Sequence, residues 1–183
     1  MSVRAKAARV LFVCTGNLCR SPMAEALLRH ELARRGCADV EVASAGTWAV
    51  DGGRATASAV EVLARRNIDL STHRSRALLA EEIEAADVVV AMTSVHVTEI
   101  LDLTPHARHK IVLLKEIPEM LAHARDGARE GLEALLEATR PPSRRGLDVD
   151  DPIGLPVRAY ERCAGDLESG IAALADVLCP RRN

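Results

Sequence analysis

The 183-residue chain sets 24 Lys and Arg against 26 Asp and Glu, a formal net charge of −2 that argues against nucleic-acid binding. Hydrophobic residues make up 48% and charged residues 27%, the balance of a globular protein, and the length suits one domain over residues 1–183. No run approaches a membrane span and no long apolar leader opens the chain, so neither membrane attachment nor secretion is expected. Five cysteines, an odd number, suit a reducing cytoplasm better than a secreted disulfide framework. Phe12, Trp48 and Tyr160 are the only aromatics, so the core must be aliphatic.

Residues 1–8 read as a loose basic start. Val10 to Val13 form a continuous apolar run, typical of a strand covered on both faces. A helix follows over 22–35, with Ala24, Leu28 and Leu32 on one stripe and Gly36 as its stop. Val40 to Ala43 suggest a second strand, and Thr56 to Arg66 a second helix ended by Asn67. A short helix over 80–86 leads into Asp87–Met92, the clearest central strand. Thr93 or Ser94 can cap a helix running to about Leu101. Ile111 to Leu114 read as the fourth strand and Val157 to about Leu178 as the closing helix. Strands alternating with helices predict one doubly wound α/β domain: a four-stranded parallel sheet in the order 2-1-3-4, flavodoxin-like, with helices on both faces. Within it, the segment 118–148 reads as an insertion. It holds a helix over 119–138, rich in Ala, Leu and Glu, and an exposed linker over 140–146. This is either a solvated surface helix or a flap or partner surface near the active site.

The first strand runs into Cys14-Thr15-Gly16-Asn17-Leu18-Cys19-Arg20-Ser21, and a helix opens directly behind it. Five residues between Cys14 and Arg20 curl the backbone so that successive N–H groups converge on an anion. The helix N-terminus adds free amides and positive potential, and the Arg20 fork can hold two phosphate oxygens. Cys14 then lies below the anion as a nucleophile. Helix N-termini and nearby cations lower a thiol's pKa from about 8.5 to roughly 3.5–7.5, so such a loop favours the thiolate. Ser21 can donate to that sulfur or cap the helix. Pro22 suits the first helical turn, where an N–H is not needed. The loop residues Thr15, Gly16, Asn17, Leu18, Cys19 and Ser21 are the candidate substrate-binding set.

Expelling an alkoxide or phenoxide from phosphorus needs an acid on the leaving oxygen. Asp151, stiffened by Pro152 and followed by Gly154, is the candidate, with Asp150 and Asp148 as rivals. The loop amides and Arg20 can stabilise the phosphoryl oxygens, so no metal or cofactor is expected. His106 and His109 have a spacing seen in some metal sites, but companion ligands are missing from the sequence around them.

The stretch Cys14-Thr-Gly-Asn-Leu-Cys-Arg-Ser-Pro-Met-Ala-Glu25 resembles the signature of the low-molecular-weight protein tyrosine phosphatases. Ser44-Ala-Gly-Thr47, Asp69-Leu-Ser-Thr-His-Arg-Ser75 and Asp151-Pro-Ile-Gly154 resemble that family's later motifs, in its order. The resemblance implies a phosphocysteine mechanism on phosphorylated protein side chains, by a monomer or weak dimer. It places the acid immediately before proline, at Asp151. It also implies that Ser44 and His73 hold Asn17, keeping the loop rigid.

The family includes tyrosine phosphatases, protein arginine phosphatases and arsenate reductases. The reductases need two further cysteines in the segment after the third strand, and residues 76–106 contain none. The rival outside enzymology is an anion-binding module that keeps the loop. In the family a branched aliphatic at the position of Leu18 goes with tyrosine phosphatases, and threonine with arginine phosphatases. Leu18 therefore favours phosphotyrosine, while Ile153 stands where tyrosine phosphatases commonly carry an aromatic, and Ala91-Met-Thr93 looks closer to the arginine-phosphatase branch. Trp48 either lines the entrance or packs at the surface. Tyr160 reads as packing. Cys19 can form a reversible disulfide with Cys14 or simply pack under the loop. Cys37, Cys163 and Cys179 are expected to be structural thiols.

Overall fold

The computed structural model describes residues 8–124, 131–138 and 146–180. Four parallel strands, β1 (Ala8–Cys14), β2 (Val40–Gly46), β3 (Val88–Ala91) and β4 (Ile111–Leu113), form one sheet in the order β2-β1-β3-β4. This is the expected topology. Parallel neighbours require crossovers, and helices supply them: α1 (Arg20–Arg34), α2 (Ala57–Ala64), α3 (Ala80–Ala85), α4 (Ser94–Leu103), α5 (Ile117–Ala124), α6 (Leu132–Glu137) and α7 (Val157–Leu178).

The period-2 alternation of the central strands divides the core between two faces. Val10, Phe12, Cys14, Val88 and Val90 join α1, α2, α5 and α7 on one side; Leu11, Val13, Val89 and Ala91 join α3 and α4 on the other. Phe12, Met23, Leu28, Leu63, Ile100 and Ile111 are all fully enclosed, and each such side chain contributes about 1.5–3 kcal/mol by leaving water. Because β1 lies between β2 and β3, its C-terminal end opens where the strand order reverses, and Cys14 is its last residue.

Local chemistry sets the boundaries. Thr56 caps α2 by accepting from the Ala59 N–H, and Asn67, at φ 60°, turns the chain back after it. Two expectations need correction. The 119–138 segment is not one helix: Gly131, at φ 91° and ψ −162°, is outside any helical conformation directly before α6 begins. The proposed linker over 140–146 lies outside the described residues except for Gly146. Second, Cys37 and Cys179 are not separate thiols but form a disulfide, their Cα atoms 6.3 Å apart. The turn at Gly36, with the Cys37 N–H donating to Leu32 O, brings the end of α1 back against the end of α7. Arg35 strengthens that junction, donating to Glu31, Asp176 and Cys179 O. Cys14, Cys19 and Cys163 remain free and buried.

Candidate active site

The loop between β1 and α1 is organised by Asn17, which is fully buried at φ 52°. Left-handed backbone suits asparagine better than most residues, and here every polar group of the side chain is used. Its Nδ2 donates to Ser21 Oγ and to Ser44 Oγ, both at 2.9 Å. Its Oδ1 accepts from the Arg76 N–H at 3.1 Å, and its carbonyl oxygen lies 2.8 Å from His73 Nε2. Ser44 and His73 thus meet Asn17, though the amide donates to the serine. Ser44 in turn donates to Glu25 at 2.5 Å, a partner the sequence reading did not single out. Thr47 N–H and Trp48 N–H bond the carbonyls of Cys14 and Thr15, so the segment after β2 braces the loop from outside.

Ser21 has one proton to give. Its oxygen already accepts from Asn17, which leaves that proton for Cys14 Sγ, 2.9 Å away, or for the more distant Ala45 carbonyl at 3.4 Å. Helix α1 has no side-chain cap, so of the two expected uses of Ser21 the structure shows the contact with sulfur. The competing thiols are suppressed. Burial pushes the Cys19 thiol up, and it pushes Cys163 to about 12. Cys19 Sγ faces Thr56 Oγ1 at 3.6 Å and the Tyr160 hydroxyl at 3.8 Å, a packed position under the loop.

Arg20 is 5% exposed and anchored by Nη1 on the Val149 carbonyl at 3.2 Å. Its Nη2 pairs with Asp151 Oδ2 at 2.6 Å. Val149 N–H donates to Met92 O, which ties this acidic segment to the end of β3. Asp151 Oδ1 accepts from the Ile153 N–H at 3.1 Å, so the carboxylate is held while its side chain stays 42% exposed. Of the rival acids, Asp148 is occupied elsewhere, accepting from Ser94 N–H and Ser94 Oγ at the start of α4. Asp150 is exposed, and the Arg20 fork goes to Asp151.

Leu18 stands at the loop's edge, half-buried. Its Cδ2 lies 3.2 Å from the point a Cβ on Gly53 would occupy, and Thr56 N–H holds its carbonyl. Gly16 leaves the space beside it open: a Cβ there would meet only Leu18 Cδ1 and Cγ, each at 3.7 Å. Trp48 is 74% exposed, and its indole N–H donates to Glu99 of α4 at 2.8 Å. Its side chain is thus on the surface against α4, and its backbone N–H bonds the loop at Thr15 O. Tyr160 is buried, as expected of packing, with its hydroxyl on Cys19.

The sequence reading missed His96. It is 2% exposed, with Nε2 2.9 Å from Thr15 Oγ1 and Nδ1 2.9 Å from Thr93 Oγ1. Burial, followed by the charge of Arg20, lowers its pKa to about 4, so the ring is neutral near pH 7. The available signal was a histidine three residues after a helix-capping threonine. Among the described residues, no group of three His, Cys, Asp or Glu side chains could hold a metal ion.

A buried thiol with a hydroxyl 2.9 Å from its sulfur, a buried guanidinium and a carboxylate paired with it meet at the C-terminal end of β1, an arrangement suited to phosphoryl transfer. The model for the Low molecular weight phosphotyrosine protein phosphatase family matches residues 9–130. A protein-arginine-phosphatase from Geobacillus stearothermophilus is 37% identical over 170 residues, covering 93% of this chain and 95% of that protein. A probable low molecular weight protein-tyrosine-phosphatase from Ralstonia nicotianae is 38% identical over 140 residues, covering 76% and 91%. The solution structure of a low molecular weight protein tyrosine phosphatase from Bacillus subtilis superposes with a TM-score of 0.73 at 36% identity, covering 95% of this chain and 99% of that one. With the loop, the strand order and the match over most of its length in agreement, the chain belongs to the low-molecular-weight phosphotyrosine protein phosphatase family of cysteine-dependent hydrolases.

Proposed function

We propose that this phosphatase hydrolyses phosphotyrosine in cytoplasmic proteins, in two steps. Cys14 Sγ attacks phosphorus, an S–P bond forms, and the O–P bond to the tyrosine oxygen breaks. Asp151 gives its proton to the departing oxygen. The carboxylate then takes a proton from water, the hydroxide attacks phosphorus, and the S–P bond breaks to return the thiolate and release phosphate. Arg20 and the loop amides hold the phosphoryl oxygens throughout, and the Ser21 hydroxyl stabilises the sulfur anion from 2.9 Å. Asn17, Ser44 and His73 keep the loop in this shape and touch no reacting atom.

The observation that carries the choice of tyrosine is Leu18, an apolar side chain at the edge of the site, fixed against the position of Gly53. A phenyl ring gains from such a wall. A guanidinium placed there keeps N–H groups without acceptors, and each such loss is about 1–3 kcal/mol. The second reading, phosphoarginine, has its own support: the arginine phosphatase named above aligns over 93% of this chain. In addition, Ile153, 50% exposed beside the acid, offers no aromatic stacking face. Rates of wild type and Leu18→Thr on matched phosphotyrosine and phosphoarginine peptides decide between them. Tyrosine preference in the wild type, shifting toward arginine in Leu18→Thr, is the expected result. A wild type that already prefers phosphoarginine, with little change on substitution, defeats the tyrosine reading.

A further inference from the structure

The contacts around His96 fix more than its own position. Thr93 Oγ1 accepts from the His96 backbone N–H at 3.3 Å, the cap of α4. That hydroxyl also lies 2.9 Å from His96 Nδ1. If it donates its single proton to Nδ1, both contacts are satisfied, one as donor and one as acceptor. The opposite arrangement makes it accept twice and leaves its proton without a protein acceptor among the described residues. The ring is therefore the tautomer with hydrogen on Nε2, since burial and the Arg20 charge keep it neutral. Nε2 then donates to Thr15 Oγ1 at 2.9 Å. Arg20 Nη2 approaches the same oxygen at 3.5 Å. With two donors aimed at its lone pairs, the Thr15 hydroxyl must direct its own proton away from both. Thr15 follows the nucleophile directly in the chain and is solvent-exposed, while Arg20 Nη2 is on the fork that clamps phosphate.

We propose that Thr15 is a side-chain donor to a phosphoryl oxygen of the substrate, and that His96 is the positioning residue that turns its hydroxyl toward that oxygen through the Thr93–His96–Thr15 chain. The backbone amides of the loop and Arg20 supply the family's usual anion contacts; this chain adds a hydroxyl whose orientation is set from α4. The relay moves no proton in the reaction. It removes the alternative in which Thr15 donates to His96 and presents only a lone pair to a negatively charged oxygen.

The inference rests on the phosphatase reading above, and the test separates the two. Turnover of para-nitrophenyl phosphate and inhibition by inorganic phosphate are measured for wild type, Thr15→Val, Thr15→Ser, His96→Leu, His96→Gln and Thr15→Val/His96→Leu. A lost hydrogen bond to a charged acceptor predicts about a tenfold or greater fall in kcat/KM for Thr15→Val, with phosphate affinity weakened by a similar factor. Thr15 is on the surface, so this variant folds, and Thr15→Ser restores both values. His96→Leu falls in the same direction, and His96→Gln, whose amide can place N–H near the old Nε2, recovers most of the loss. The double variant is no worse than Thr15→Val alone, because His96 acts only through that hydroxyl. Wild-type kcat/KM and phosphate affinity in Thr15→Val overturn the proposal, as does an additive loss in the double variant. Turnover that survives Cys14→Ser overturns the covalent reading instead, and the phosphate affinities of wild type and Thr15→Val still judge the relay.

Discussion

Gly46→Ala tests whether the phosphate loop is held by close backbone packing. A Cβ on Gly46 would fall 2.4 Å from Thr15 O, 2.9 Å from Asn17 N and 2.8 Å from Ala49 Cβ. Real Cβ contacts essentially never fall below 3.0 Å, so something must move by at least 0.6 Å. Gly46 itself is poorly placed to move: it pairs with Cys14 in the sheet, donates to Arg76 O at 3.0 Å and accepts from Leu78 N–H at 2.9 Å. The displacement therefore falls on Thr15 and Asn17, backbone of the loop itself. Overpacking of this kind destabilises by about 1–3 kcal/mol. The effect on rate is larger, because a misplacement near 1 Å lowers a positioned reaction by about 10². The assay is kcat/KM for para-nitrophenyl phosphate beside urea unfolding, with Gly165→Ala as control. Gly165 lies in α7, where an added Cβ meets nothing within 4 Å, so that change keeps the rate and gains up to about 1 kcal/mol of helix propensity. A folded Gly46→Ala enzyme with wild-type kcat/KM would refute the claim that this contact shapes the loop.

Other perturbations address the acid, the disulfide and the buried histidine. Asp151→Asn lowers kcat on phosphotyrosine by about 10²–10⁴ and far less on para-nitrophenyl phosphate, whose leaving group departs without a proton; Asp150→Asn showing that pattern instead would move the acid. Cys37→Ser opens a loop of sequence separation 142, for which the chain-entropy estimate is about 5 kcal/mol and the common range about 2–4. Its urea midpoint falls to that of the reduced wild type while kcat is kept; a midpoint equal to the oxidised wild type rejects the structural role. His96 falls from the ordinary 6.5 to about 4, so its folded form resists protonation. Its stability is complete above pH 6.5 and declines as pH falls toward 4, by about 3 kcal/mol in all. His96→Gln removes that part of the slope in urea midpoints measured from pH 7 to 4, with the charges of Arg20, Glu99, Asp151 and Asp148 around the ring kept in both proteins; identical slopes in the two proteins contradict the assignment.

The sheet was legible because β1, β3 and β4 carry apolar runs, Val88–Ala91 above all, and such runs suit a strand covered on both faces. The phosphate loop was legible because its residue spacing is local: Cys14, Arg20 and Ser21 come within one turn of chain. What failed was long-range or masked by composition. Cys37 and Cys179 meet only because α1 and α7 pack together, a fact no spacing reveals. The Ala, Leu and Glu content after Pro118 gives a high mean helix propensity, which outweighed Gly131, where the break falls. His96 escaped notice because its partner Thr15 is brought to it only by the parallel pairing of β1 with β3. The Asn17 contacts were anticipated from resemblance, yet the donor direction followed only once Glu25 was seen to accept from Ser44.

The loop and the acid are prepared in opposite ways. Asn17 has its amide nitrogen, amide oxygen and carbonyl all engaged by groups outside the reacting atoms, so the backbone of the loop is fixed at its middle by contacts within the protein. Asp151 is engaged by Arg20 Nη2, the same donor that the proposed mechanism gives to a phosphoryl oxygen. The two acceptors compete for one fork. In the proposed mechanism a bound phosphoryl group that takes Nη2 releases the Asp151 carboxylate from this contact. The pairing of Arg20 with Asp151 thus couples the position of the proposed acid to occupancy of the site, while the Ile153 N–H, donating to Oδ1, keeps the side chain beside it.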